Sequence, residues 1–88
     1  MTVEFLEKFS KDLDKLNQPF VRSAVLKTIK RVESSKSISE VPKVKKLSGH
    51  KDAYRIRVGD YRIGVFVMGQ IVQFARVVHR KDIYNIFP

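Results

Sequence analysis

Three arginines and a histidine carry the chemistry this chain has to explain. Arg55, Arg57 and Arg62 interrupt two apolar, β-branched runs, residues 53–58 and 61–68, and His79 follows a third, residues 71–78. Basic side chains usually ride on helices and loops, so arginines set within such runs predict half-buried strands with one cationic face. A guanidinium fork offers paired donors to phosphate oxygens, and imidazole has the side-chain pKa nearest neutrality. The combination predicts a surface that binds a phosphate backbone, with His79 the group on it best suited to exchange protons near neutral pH.

The loops between these runs set a register. Gly59-Asp60 and Gly69-Gln70 are two-residue connections with glycine first, which predicts type II′ hairpins. With Val58 opposite Tyr61, Arg57 faces Arg62 and Arg55 faces Gly64. With Met68 opposite Ile71, Gly64 faces Ala75 and Arg62 faces Val77, and His79 continues on that side. The expected open face therefore carries Arg55, Arg57, Arg62, Gly64, Gln73, Ala75, Val77 and His79. The expected packed face carries Tyr54, Ile56, Val58, Tyr61, Ile63, Val65, Val67, Val72, Phe74 and Val78, with Arg76 misplaced on it and reaching for an edge. Like charges directly opposed, as at Arg57 and Arg62, cost up to about 1 kcal/mol and serve no structural need. Glycine at 64 leaves room above the sheet beside Arg55. The competing account is that these arginines pair with carboxylates or point into water.

The N-terminal half must supply the support. Leu6, Phe9, Leu13 and Leu16 recur at helical spacing, and Asn17-Gln18-Pro19 ends that helix. Pro19 opens a second helix whose stripe is Val21, Val25, Ile29 and Val32, with Leu26 beside it. Residues 2–5 read either as an edge strand or as the entry to the first helix, and Val44 to Leu47 as a short strand or extended segment. The expected fold class is α+β: a small twisted antiparallel sheet over about 43–79, packed on a helical hairpin over about 6–35, with a short C-terminal segment 80–88. All 88 residues form one expected domain.

Composition narrows the partners. Eighteen Lys and Arg against nine Asp and Glu give a net charge of +9, and the excess concentrates in residues 43–88, which hold ten basic and three acidic side chains. Such a surface favours polyanions. With no cysteine, two histidines and no acidic cluster at ligand spacing, no metal site and no cofactor is expected. Phosphate-loop and Ser/His/Asp patterns are also missing. No 18-residue apolar run or signal-peptide core is present, which predicts a cytoplasmic protein without membrane association.

The segments LSGHKDAYRIRVGDYRIGV and VVHRKDIY, in this order and spacing, resemble the RelE/ParE superfamily of small toxins from type II toxin–antitoxin pairs, on the RelE side. The resemblance covers nearly the whole chain. It implies an antiparallel sheet backed by two N-terminal helices, and endoribonuclease cleavage of mRNA, in many members on the translating ribosome. It also implies a cognate antitoxin, acidic or amphipathic, covering the basic face. Residue by residue, the strand basics of RelE-type toxins match Arg55, Arg57 and Arg62, the C-terminal basic residue matches Arg80, and the terminal tyrosine matches Tyr84. His79 matches a histidine used by some branches. Arginine replaces the lysines of RelE-type members at 55 and 57, which keeps phosphate binding but gives no general base there. Tyr84 then stacks on a base or moves a proton, or else covers the core edge beside Ile83 and Phe87. Lys46 and Lys51 are expected contacts to the backbone of messenger or ribosomal RNA, and His50 a surface residue. Three readings stay open at this point: an mRNA-cleaving toxin, a ParE-like toxin that poisons DNA gyrase through protein contacts, and a non-catalytic RNA- or protein-binding relative.

Overall fold

Two glycine-led turns organise the sheet. Gly59 (φ 58°) and Gly69 (φ 60°) take positive φ whereas Asp60 and Gln70 do not, the pattern of type II′ hairpins. They join β3 (Ala53–Val58), β4 (Tyr61–Met68) and β5 (Ile71–His79) in the computed structural model, which describes residues 1–88. The expected pairs form: Val58 with Tyr61, Arg57 with Arg62, Arg55 with Gly64, and Met68 with Ile71. Two edge strands complete the sheet, β1 (Thr2–Phe5) beside β5 and β2 (Val44–Lys46) beside β3, in the order β1-β5-β4-β3-β2. Because β1 runs parallel to β5, the sheet is mixed and not purely antiparallel as expected. Two tight hairpins leave one edge of β5 free, and the chain's first strand, separated from β5 by the helices, can lie along it in parallel.

A bulge changes the far half of the expected register. Val65 still faces Phe74, but Gly64 faces Arg76, so Ala75 is the extra residue. Beyond it Ile63 faces Val77, Arg62 faces Val78 and Tyr61 faces His79. One inserted residue inverts strand parity, so Val77 belongs to the packed face and His79 lies on the packed side with Tyr61. Val77 is fully buried in the main core, and the His79 ring meets Tyr61 edge-on with centroids 5.6 Å apart. The grouping of His79 and Val77 with the arginines is thus corrected, as is the place of Val78 on the packed face.

The helical hairpin is α1 (Glu7–Lys15) and α2 (Pro19–Ser34), with Pro19 at the start of α2 as its missing N–H allows. Val25, Ile29 and Val32 of α2 and Phe9 and Leu16 from the α1 side bury against Ile56, Val58, Ile63, Val65, Val72, Phe74 and Val77. Leu26 stays exposed, since it falls off the stripe. Phe5, Phe9 and Phe74 pack together where β1, α1 and β5 meet, with centroids 5.4–5.7 Å apart. No helix is long and apolar enough to cross a membrane.

Where β1 ends, α1 takes over the edge of β5. Leu6 N–H donates to the Phe74 carbonyl, and Asp12 accepts the otherwise free Val77 N–H at 3.1 Å. Arg76, displaced by the bulge, donates Nε and Nη2 to the two oxygens of Asp12 at 2.7 and 3.0 Å. Hydrogen bonding to Asp12 raises the Arg76 pKa against the opposing effect of burial. The arginine that fitted the sequence pattern worst is therefore a strut between helix and sheet.

The face opposite the helices is not open throughout. A one-turn helix, α3 (Ile83–Ile86), and Phe87 fold onto it, and Leu47, Ala53, Ala75, Ile83 and Phe87 form a second buried cluster. The space above Gly64, expected to be empty, holds the Phe87 ring: a Cβ at 64 would stand 2.6–2.8 Å from its carbons. Gly64→Ala is therefore expected to push Phe87 out and loosen residues 83–87, at about 1–3 kcal/mol. Faster amide hydrogen exchange confined to that segment would be the signature, and unchanged protection would refute the packing account.

Candidate active site

The uncovered part of this outer face carries the candidate site. Arg55 and Arg57 project from β3 and Arg62 from β4, and Arg57 and Arg62 are directly opposed. Arg80 follows β5, held where its backbone N–H donates to the Asp60 carbonyl in the β3–β4 turn at 2.8 Å. Tyr84 arrives from α3, which the burial of Ile83 and Phe87 fixes against the sheet. Arg55 Nε donates to the Tyr84 hydroxyl at 3.1 Å. Arg62 Nη1 donates to the Gly59 and Tyr61 carbonyls, both at 2.9 Å, which anchors its guanidinium over the turn.

Four guanidinium groups and one phenol are thus gathered around one patch. Partial burial first, then Arg55 and Arg57, lower the pKa of Arg62; Tyr84 opposes this and Arg80 adds to it. All four arginines remain charged at neutral pH. None of the four pairs with a carboxylate, the two ion pairs of the molecule being Lys11–Glu7 and Arg76–Asp12. Their mutual repulsion is relieved by an anion placed among them, and a phosphate is an anion whose oxygens match several forks at once.

His79 stands apart from this patch. Its ring rests on Tyr61 on the opposite side of the sheet, and its Nδ1 accepts the Lys81 N–H at 3.2 Å. His79→Gln is accordingly expected to keep RNA cleavage within about threefold of the parent, its cost being lost packing on Tyr61. A steady-state comparison with a defined mRNA on ribosomes decides it; a hundredfold loss would return His79 to the chemistry.

Lys46 and Lys51 are exposed but lie off the cluster: Lys46 pairs with Tyr54, a packed-side position, and Lys51 sits in the β2–β3 loop. The residue that joins the arginines is Lys45, opposite Arg55 across the β2–β3 pair. The alternation of residues 43–46 holds that signal, but only once the pairing of β2 is known. His50, read as a surface residue, is exposed and lines a hollow of about 350 Å³ with Leu47, Ser48, Tyr84, Phe87 and Pro88. No three His, Cys, Asp or Glu side chains converge as a metal site would require.

Comparison with known proteins bears on what such a patch does. The family described as the ParE toxin of the type II toxin–antitoxin system parDE matches residues 3–84. The toxin RelE3 of Methanocaldococcus jannaschii is 40% identical over 89 residues, spanning all of both chains. The crystal structure of a RelB–RelE antitoxin–toxin complex from Methanococcus jannaschii superposes with a TM-score of 0.79 at 39% identity, over 96% of this chain and 98% of that one. The intact RelBE toxin–antitoxin complex of E. coli gives 0.71 at 27% identity, over 89% and 94%.

Proposed function

The chain belongs to the RelE/ParE superfamily of toxins of type II toxin–antitoxin systems, and from that membership we propose that it is an endoribonuclease that cleaves mRNA on the ribosome and so inhibits translation. The observation that carries this reading is the cluster of Arg55, Arg57, Arg80 and Tyr84 around Arg62, with the Tyr84 hydroxyl hydrogen-bonded to Arg55. The 2′-hydroxyl attacks the neighbouring phosphorus as its proton passes to solvent water, the P–O5′ bond breaks, and the departing 5′-oxygen takes up a proton, leaving a 2′,3′-cyclic phosphate and a 5′-hydroxyl. The arginines hold the phosphate and stabilise the charge that grows on its equatorial oxygens. Two groups at this face exchange protons more readily than a guanidinium, the Tyr84 phenol and the Lys45 ammonium. Tyr84, hydrogen-bonded to Arg55, is the proposed proton donor to the leaving 5′-oxygen, and Lys45 a support for the backbone. A base beside the cut enters the hollow between His50 and Tyr84.

The proposed antitoxin is a cognate protein that covers the basic face; support comes from the two similar structures above, each a toxin–antitoxin complex. The ParE description of the matching family keeps one competitor, a gyrase-poisoning toxin that acts through protein contacts. Induction of the chain followed by primer extension on cellular mRNA separates them. Codon-phased cuts are expected; intact mRNA with gyrase-linked DNA breaks would overturn the ribonuclease reading.

A further inference from the structure

The strongest unassigned feature is a second cationic cleft, of about 370 Å³, between α2 and the β2–β3 edge. Lys27 and Arg31 reach it from one face of α2, together with Ala24 and Thr28, at positions that share a helical face by their spacing. Lys43 enters from the segment before β2, and Arg57 from β3. The floor is small and apolar: Val41, Pro42, Val58 and Gly59. No acidic residue lines the cleft, and none of its four cations takes part in either ion pair of the molecule. Lys27, Arg31, Lys43 and Arg57 are all solvent-exposed.

Arg57 belongs both to this cleft and to the arginine patch, so the positive surface continues from the cutting site around the edge of β3 to α2. A helix of a protein partner would need an apolar stripe to dock, and the floor offers only small side chains. A polynucleotide backbone needs what is present: cations at successive positions and an open path. We propose that this cleft holds the phosphodiester backbone of the substrate RNA beyond the cut, so that the strand leaves the active site over Arg57 and passes between Lys43 and the Lys27–Arg31 face of α2. This rests on the ribonuclease reading.

The test measures binding of 2′-O-methylated RNA, which the protein cannot cleave, by fluorescence anisotropy at several salt concentrations. A tetranucleotide reaches only the arginine patch, whereas a dodecanucleotide also reaches the cleft. The double variant Lys27→Gln, Arg31→Gln is expected to bind the dodecanucleotide about tenfold more weakly, with the salt slope reduced by about 1.4, and the tetranucleotide unchanged. A control with the same loss of charge, Lys30→Gln with Lys36→Gln, lies off the cleft and is expected to bind both as the parent does. Parent-like dodecanucleotide binding by the first variant, with cleavage intact, would overturn the cleft proposal alone. The same would follow if its binding were normal while cosedimentation with ribosomes, or binding of a poly-glutamate peptide, fell: the cleft would then serve ribosomal RNA or an acidic protein. Failure of the parent protein to cut mRNA on ribosomes would overturn the ribonuclease reading and this one with it.

Discussion

Arg62→Ala is expected to lower kcat/KM for RNA cleavage by about 10²- to 10³-fold and to abolish growth inhibition on induction. Arg62 sits at the centre of the cation cluster, opposite Arg57 and anchored by the Gly59 and Tyr61 carbonyls, so its fork cannot swing away when the phosphate gains charge. On the proposed mechanism, removing it takes away charge stabilisation where the pentacovalent phosphate would form. Arg62→Lys restores the charge but not the fork and is expected to recover part of the loss, still about tenfold below the parent. Stability moves little, because two lost hydrogen bonds are offset by relief of repulsion from Arg55 and Arg57; thermal melts within about 5 °C of the parent are expected. Full toxicity in a folded Arg62→Ala protein would remove the arginine patch from the mechanism.

Asp12→Ala should produce the largest loss of stability, about 3 kcal/mol, seen as a fall in melting temperature of roughly 12–20 °C. Asp12 is buried, and its carboxylate serves three donors: Arg76 Nε, Arg76 Nη2 and the Val77 N–H. Alanine would leave a half-buried guanidinium and a buried strand N–H without partners, and a group left unpaired costs more than the bond itself contributes. The double variant Asp12→Ala, Arg76→Met is expected to recover part of the loss, because no charge is then stranded. An additive double variant would show that Asp12 matters through Val77 and not through Arg76. The outer arginines are untouched, so cleavage below the melting transition is expected to stay near the parent value.

These two sites mark where sequence reasoning was sufficient and where it was not. The pairs Arg57–Arg62 and Arg55–Gly64 were legible because glycine leads each two-residue loop, and a II′ turn leaves one possible register across β3 and β4. The α2 stripe was legible for the same local reason, since its period alone places Val25, Ile29 and Val32 on one side. A bulge has no such mark: Ala75 looks like any small strand residue, yet its insertion moves His79 and Val77 across the sheet. Nor could local pattern disclose partners far away in the chain. Asp12 meets Arg76 across 64 positions, Tyr84 meets Arg55 across 29, and Gly64 is small because Phe87 fills the space above it.

What the sequence determined by itself was a cationic strand pair fit for phosphate, through alternation and turn chemistry that act over a few residues. Tertiary structure decided which groups share the outer face with that strand pair. It moved His79 to the other side of the sheet, set Tyr84, expected from the family resemblance, against Arg55, added Lys45, and half covered the outer face with the C-terminal segment, because strand parity beyond a bulge and the docking of a tail depend on packing over the whole sheet.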